Sequence, residues 1–150
     1  MTFRVPPVIY LAIFAILGWG LSILLPQLDF AWKMKGILGW FLVSSGVILL
    51  LFAVGMFARA ETTINPIRPN DAEALVTNGL YRFSRNPMYL ALAIILFGGA
   101  FLVGNIASFA TTALFVVVMT QFQIQPEERA LEENFGDKYR NYCQRTRRWI

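Results

Sequence analysis

Residues 86–126 read NPMYLALAIILFGGAFLVGNIASFATTALFVVVMTQFQIQP, without one Asp, Glu, Lys or Arg. A membrane-spanning helix needs about 20 predominantly apolar residues. This run is long enough for two, with Gly104-Asn105 as the turn between them. Two further uncharged runs precede it, residues 5–28 and 36–58, each long enough for one span. Of the 150 residues, 57% are hydrophobic and 15% charged, where an ordinary soluble domain carries about a quarter charged. The mean hydropathy is +0.55. The expected fold is therefore all-α: one polytopic membrane domain over residues 1–150, with four transmembrane helices at about 7–26, 36–58, 88–104 and 106–124. The apolar run behind Arg4 is long and lacks a small-x-small cleavage pattern, so it reads as a retained anchor rather than a signal peptide.

Lys and Arg set the orientation. The N-terminus, the 59–85 segment and the C-terminal tail hold eleven of the thirteen; the 29–35 loop holds Lys33 and Lys35, and the Gly104-Asn105 turn none. By the positive-inside rule both termini face the cytoplasm, in a bacterial or archaeal inner membrane. Arg140, Arg145, Arg147 and Arg148, interleaved with Tyr139, Tyr142 and Trp149, suit an anionic lipid headgroup layer. A nucleic-acid partner is not expected, because a polytopic membrane protein keeps its basic side against lipid. The expected partner is the bilayer. There is no histidine, which removes the usual neutral-pH acid/base residue and the commonest metal ligand; no metal site is expected. The single Cys143 forms no intrachain disulfide and sits too far from the C-terminus for a prenylation box.

Two polar cassettes flank the uncharged hairpin. The first, residues 74–89, reads ALVTNGLYRFSRNPMY; the second begins Pro126-Glu127-Glu128-Arg129-Ala130-Leu131 and continues through Phe135-Gly136-Asp137-Lys138-Tyr139. A hairpin returns its two ends to one membrane face, so the cassettes meet as halves of one site. The 59–87 connection is too long for a bare loop in so small a chain. Asn65-Pro66 and Arg68-Pro69 stiffen its first half. Asn78-Gly79 is a turn signal, and Asn86-Pro87 marks the start of the third span. The tail after Gln125 reads as a helix with Pro126 in its first turn, Glu127-Glu128 at the positive dipole end, and Gly136 as its stop. Leu131 and Phe135 share one face, which packs toward the membrane or the first cassette, and a second short helix from Asp137 is expected along the interface.

Adjacent residues on a helix point about 100° apart, so one of Glu127 and Glu128 can face a ligand while the other faces solvent or an arginine. Arg82 and Arg85 are spaced to clamp a carboxylate, and Tyr81 and Tyr89 can stack on a ring or face a cation. Each has an ordinary alternative: a capped helix start, positive-inside anchoring, an interfacial aromatic belt. Together they supply a carboxylate for an ammonium or a ribose hydroxyl, a guanidinium for a carboxylate and aromatic faces for a ring, which are the needs of an amino-acid nucleoside such as S-adenosyl-L-methionine.

The ordered series Leu75-Val76-Thr77-Asn78-Gly79-Leu80-Tyr81, Arg85-Asn86-Pro87-Met88-Tyr89, Glu127-Glu128-Arg129-Ala130-Leu131, Phe135-Gly136, Tyr139 and Tyr142 resembles the isoprenylcysteine carboxyl methyltransferases, in a broader group that includes phospholipid N-methyltransferases. The pattern covers residues 62–150. The resemblance implies S-adenosyl-L-methionine held near the cytoplasmic face by Leu75, Val76, Tyr81, Asn86, Pro87, Tyr89 and Glu127, in a site built from the 59–87 loop and the helical tail. It implies Arg85 and Glu128 as catalytic residues near the reacting end, and a lipophilic acceptor. Two positions depart from the family pattern. Asn86 stands where the prenylcysteine enzymes have His. Gln123 stands where they carry a substrate-contacting Arg, and is the expected substrate-binding residue.

In-line methyl transfer needs alignment and exclusion of water; an amine acceptor must also lose a proton, to Glu128 or to solvent. A lipophilic acceptor can enter between spans three and four, where Gly98, Gly99, Ala100 and Gly104 allow close helix packing. Three other readings stand beside this one. They are a phospholipid amine N-methyltransferase, a membrane reductase using a nicotinamide cofactor, and a non-enzymatic lipid-binding module.

Overall fold

The computed structural model describes residues 5–59 and 75–150. Six α-helices follow in order: α1 (Pro7–Leu24), α2 (Lys35–Arg59), α3 (Pro87–Val103), α4 (Ile106–Met119), α5 (Gln125–Phe135) and α6 (Asp137–Arg145). Short 3-10 turns occupy Pro26–Leu28 and Gly79–Arg82, and a π-helical turn, Thr120–Ile124, joins α4 to α5. Among the described residues there is no strand; the one isolated bridge pairs Asp29 with Asn105. The proline-stiffened stretch with Asn65-Pro66 and Arg68-Pro69 lies outside the described residues.

Among the described residues three helical stretches are long and apolar enough to cross a membrane: Pro7–Leu24, Lys35–Met56 and the continuous Ile106–Phe135. Pro87–Val103 is a shorter apolar helix of 17 residues. The expected end of the first span at 26 is corrected to Leu24. Pro26 has no N–H to return to the preceding turn and bars the α conformation to its predecessor, and Leu25 sits at φ −126°, ψ 56°.

The helices run antiparallel in two tight pairs. A Cβ at Gly39 would meet Leu102, and one at Gly46 would meet Ile95 and the Ala91 carbonyl, so α2 descends as α3 rises. A Cβ on Gly98 would lie 2.9 Å from the Gly39 carbonyl, from Leu42 Cβ and from Val43 N. Three of the four small residues expected to bring the third and fourth spans together do something else. Gly98 serves the α2–α3 contact, nothing approaches Gly99, and Gly104 caps α3 at φ 76°. The second pair is α1 with α4, joined by the Ser108 hydroxyl on the Gly18 carbonyl (2.8 Å) and the edge-to-face rings of Phe14 and Phe115 (5.7 Å). Phe14, Tyr89, Leu92, Leu96, Phe115, Met119 and Ile124 form the buried core between the pairs.

At one end of the bundle Asn105, fully buried, donates to Asp29 Oδ1 (2.6 Å) and to the Leu25 carbonyl (2.9 Å), and its own Oδ1 caps α4 by accepting from Ala107 N (2.8 Å). This lock ties the α1–α2 connection to the expected Gly104-Asn105 turn. The other end carries the cassettes.

Candidate functional site

The first cassette turns at Gly79, whose φ of 58° favours glycine; a side chain there would also strike the Met56 methyl. The 3-10 turn that follows buries Tyr81 and leaves Arg82 and Phe83 exposed. The expected Arg82–Arg85 clamp is thus corrected: the tight turn sends the two side chains apart. Arg85 points inward, its side chain 14% exposed. Pro87, fully buried, starts α3, and Tyr89 is buried one half-turn later.

On the return arm the two glutamates divide the work. Glu127 accepts a hydrogen bond from the Tyr89 hydroxyl at 2.5 Å. Glu128 takes Arg148 on both oxygens, Nε to Oε1 at 3.0 Å and Nη2 to Oε2 at 2.7 Å. It also pairs with Arg85 Nη2 at 3.3 Å. Arg85 Nη1 donates to Cys143 Sγ, and among the described residues the buried Arg85 Nε has no acceptor. Asn86 Nδ2 donates to the Arg148 carbonyl (3.0 Å). Leu75 and Val76 are half-buried at the start of the cassette. Gln123 lies apart from this cluster's ion pairs. It is buried in the π-helical turn, its Nε2 donates to the Val5 carbonyl at 2.6 Å, and its Oε1 has no partner among the described residues.

Burial dominates the phenols. It raises the Tyr81 pKa well above the usual phenol range, with Tyr142 and Glu127 adding to the effect. It raises Tyr139 too, with the Glu128 carboxylate second, and Tyr142, where Arg85 pulls the other way. These phenols stay protonated, and the Tyr142 hydroxyl donates a hydrogen bond to the Tyr81 carbonyl. The Glu128 hydrogen bonds hold the Arg148 guanidinium above its ordinary value.

The C-terminal tail packs against both cassettes, so part of the segment expected at a lipid headgroup layer is engaged with the protein instead. Arg85 N donates to the Arg147 carbonyl (2.9 Å), and the Thr146 hydroxyl donates to the Arg82 carbonyl (3.3 Å). Trp149 packs against the core and donates to Thr120 Oγ1 (3.2 Å). Tyr139 is buried, and Arg140 is held by Asp137 and Glu132. Tyr139 and Trp149 turn inward and Arg148 reaches Glu128, while among the described residues Arg129, Lys138, Arg145 and Arg147 remain exposed without an ion-pair partner. Arg148, Cys143, Thr146 and Trp149 were not legible as site residues, because a basic aromatic tail has the same composition whether it faces headgroups or a carboxylate.

The phospholipid methyltransferase family model matches residues 34–138. An uncharacterized protein of Haemophilus influenzae is 44% identical over 63 residues, 42% of this chain and all of that protein. A probable protein-S-isoprenylcysteine O-methyltransferase of Oryza sativa is 30% identical over 128 residues, 83% of this chain and 65% of the relative. A methanethiol S-methyltransferase of Pseudomonas deceptionensis is 32% identical over 110 residues, 70% of this chain but 39% of the relative. The chain thus spans less than two thirds of the length of the two named enzymes. No solved structure matches it. With the family model covering well over half of its length, the chain belongs to the phospholipid methyltransferase family.

Proposed function

We propose that this chain is an integral-membrane methyltransferase that uses S-adenosyl-L-methionine and acts on a lipophilic acceptor at the cytoplasmic membrane face. The observation that carries the reading is the split constellation: Tyr89 on α3 bonded to Glu127 on α5, 38 residues away, with Arg85, Glu128 and Arg148 beside them. The O- and S-methyltransferase relatives support the same chemistry. The residues fit the donor. The Glu127 carboxylate suits an ammonium, the buried and unpartnered Nε of Arg85 suits a carboxylate, and the buried ring of Tyr81 suits a purine. Leu75, Val76 and Pro87 supply apolar wall, and Asn86 fixes the wall to the tail.

When bound, the donor supplies a methyl group on a sulfonium. The chain's own tasks are to bind, align and exclude water. Glu128 already accepts from two guanidiniums, so its role is to position Arg85 rather than to take a proton. This favours an acceptor that arrives as a carboxylate or thiolate, isoprenylcysteine-like or a smaller lipophile, over a phospholipid amine. Gln123 offers an uncharged acceptor atom where a cation would select for acidic substrates.

The same reading places α3 as a fourth span. Its 17 residues reach about 26 Å at 1.5 Å each, within the range that crosses a bilayer core. Both termini then face the cytoplasm, in a bacterial or archaeal inner membrane, and residues 1–150 form one domain with its catalytic part over 62–150. Isothermal titration of the detergent-solubilised protein with S-adenosylhomocysteine tests the reading. The wild type gives saturable binding, and Glu127→Ala weakens it by tenfold or more, as expected for loss of a roughly 1.5–3 kcal/mol charged hydrogen bond. No binding by the wild type in any lipid condition would sink the proposal.

A further inference from the structure

Apart from Arg129, exposed and unpaired on α5, the arginines whose side chains are described divide into two sets. Arg85, Arg140 and Arg148 each meet a carboxylate. Arg82, Arg145 and Arg147 are exposed, and among the described residues no carboxylate lies within ion-pair distance of them. The backbone nevertheless brings the second set together. The Thr146 hydroxyl on the Arg82 carbonyl sets Arg82 beside the segment that carries Arg145 and Arg147, and Arg85 N on the Arg147 carbonyl holds that segment alongside the loop. Two apolar side chains of the same two segments lie in the open: Phe83, next to Arg82 and 75% exposed, and Ile150, three residues past Arg147 and 77% exposed. The seam lies immediately before Pro87, where α3 begins.

We infer that Arg82, Arg145 and Arg147 form a binding site for the phosphodiester of an anionic lipid headgroup, with Phe83 and Ile150 dipping into the apolar layer beside it. Three uncompensated guanidiniums at one seam match a phosphodiester oxygen set. The exposed Phe and Ile decide for a lipid over a free phosphate, since a soluble anion leaves both in water while a headgroup brings hydrocarbon with it. The level is right as well, because residues directly before a span lie in the headgroup layer. The site rests on α3 entering the bilayer at Pro87, which is part of the function proposed above. It is distinct from the Glu127–Glu128 cluster and does not depend on methyl transfer.

The test is lipid retention by the full chain purified in detergent, read by native mass spectrometry without any methyl donor. Phosphatidylglycerol is titrated against phosphatidylcholine of the same chains. Each basic residue near an anionic surface contributes about fivefold, so the wild type should prefer phosphatidylglycerol by tens-fold to about a hundredfold. The triple variant Arg82→Gln, Arg145→Gln, Arg147→Gln should fall to within a few-fold of no preference. Arg140→Gln, exposed but already paired, should keep it. Phe83→Ser should weaken retention of both lipids without changing their ratio. A triple variant that retains the wild-type preference overturns the inference, as does equal loss on Arg140→Gln. Competition by glycerol phosphate as strong as by the lipid overturns the lipid assignment, and tighter capture of a short RNA overturns the class of partner. Binding of S-adenosylhomocysteine, measured on the same samples, reports separately on the methyltransferase reading.

Discussion

Glu128 carries two guanidiniums, and a double-mutant cycle between Glu128→Gln and Arg148→Gln measures what the tail contributes. Arg148 meets Glu128 through two charge-assisted bonds, at 3.0 and 2.7 Å, but its side chain is 37% exposed. Bonds to charged groups are worth about 1.5–3 kcal/mol each when sheltered; solvent screening at this exposure cuts the pair to roughly 1–2 kcal/mol. Arg85 lies 3.3 Å from the same carboxylate with both side chains about 15% exposed, so Glu128→Gln also uncovers a sheltered cation. It should therefore cost more than Arg148→Gln, roughly 2–4 kcal/mol against 1–2. At about 2–4 °C per kcal/mol for a chain of this size, thermal unfolding in detergent, followed by tryptophan emission, resolves the difference. Trp149 sits on the tail itself. On the Glu128→Gln background Arg148→Gln should cost almost nothing more, leaving a coupling energy of about 1–2 kcal/mol. Full additivity would show that the ion pair between Glu128 and Arg148 contributes no stability.

The α2–α3 seam makes a paired prediction. Gly98→Ala places a methyl 2.9 Å from backbone atoms of α2 and should cost about 1–3 kcal/mol, while Gly99→Ala, which meets nothing within 4 Å, should stay within about 0.5 kcal/mol; equal melting temperatures for the two would contradict the packing. Alkaline titration of the phenols makes another. Burial raises Tyr81, Tyr139 and Tyr142 above the ordinary phenol value, so of the five tyrosines at most two should ionise near pH 10 in the folded protein. Because the folded values are raised, their contribution to stability is full below the unfolded value of about 10 and fades as pH climbs above it. All five titrating near pH 10 with helicity intact would contradict the burial.

The helix ends were legible wherever one residue decides the backbone. Pro87 begins α3 because its missing N–H costs nothing in a first turn, Gly104 ends it in the left-handed conformation, and Gly136 separates α5 from α6. The two halves of the site were legible because an uncharged hairpin must return its charged flanks to one side. Partner choice was not. Whether Gly98 faces α2 or α4 depends on how the bundle closes, which no local pattern specifies. The same holds for the tail, where burial of Tyr139 and Trp149 and capture of Arg148 by Glu128 require a surface that sequence spacing does not reveal.

The division of labour between Glu127 and Glu128 has a cause in the backbone just before them. Pro126 cannot donate to the carbonyl one turn back, and its ring collides with that carbonyl in a regular helix. The chain widens into the π-helical turn Thr120–Ile124, where each bond spans one residue more than in an α-helix. The turn absorbs one residue, so everything after it lags by about 100° relative to an unbroken α-helix of the same sequence. In that unbroken helix Glu127 would occupy the place that Glu128 holds against Arg85 and Arg148, and Pro126 would face Tyr89. The carboxylate opposite the Tyr89 hydroxyl would be gone, and with it the charge that suits an ammonium. The π-helical turn also buries Gln123 toward Val5 and presents Thr120 to Trp149. One proline-driven turn thus sets the phase of both carboxylates and anchors the C-terminal tail that closes on them.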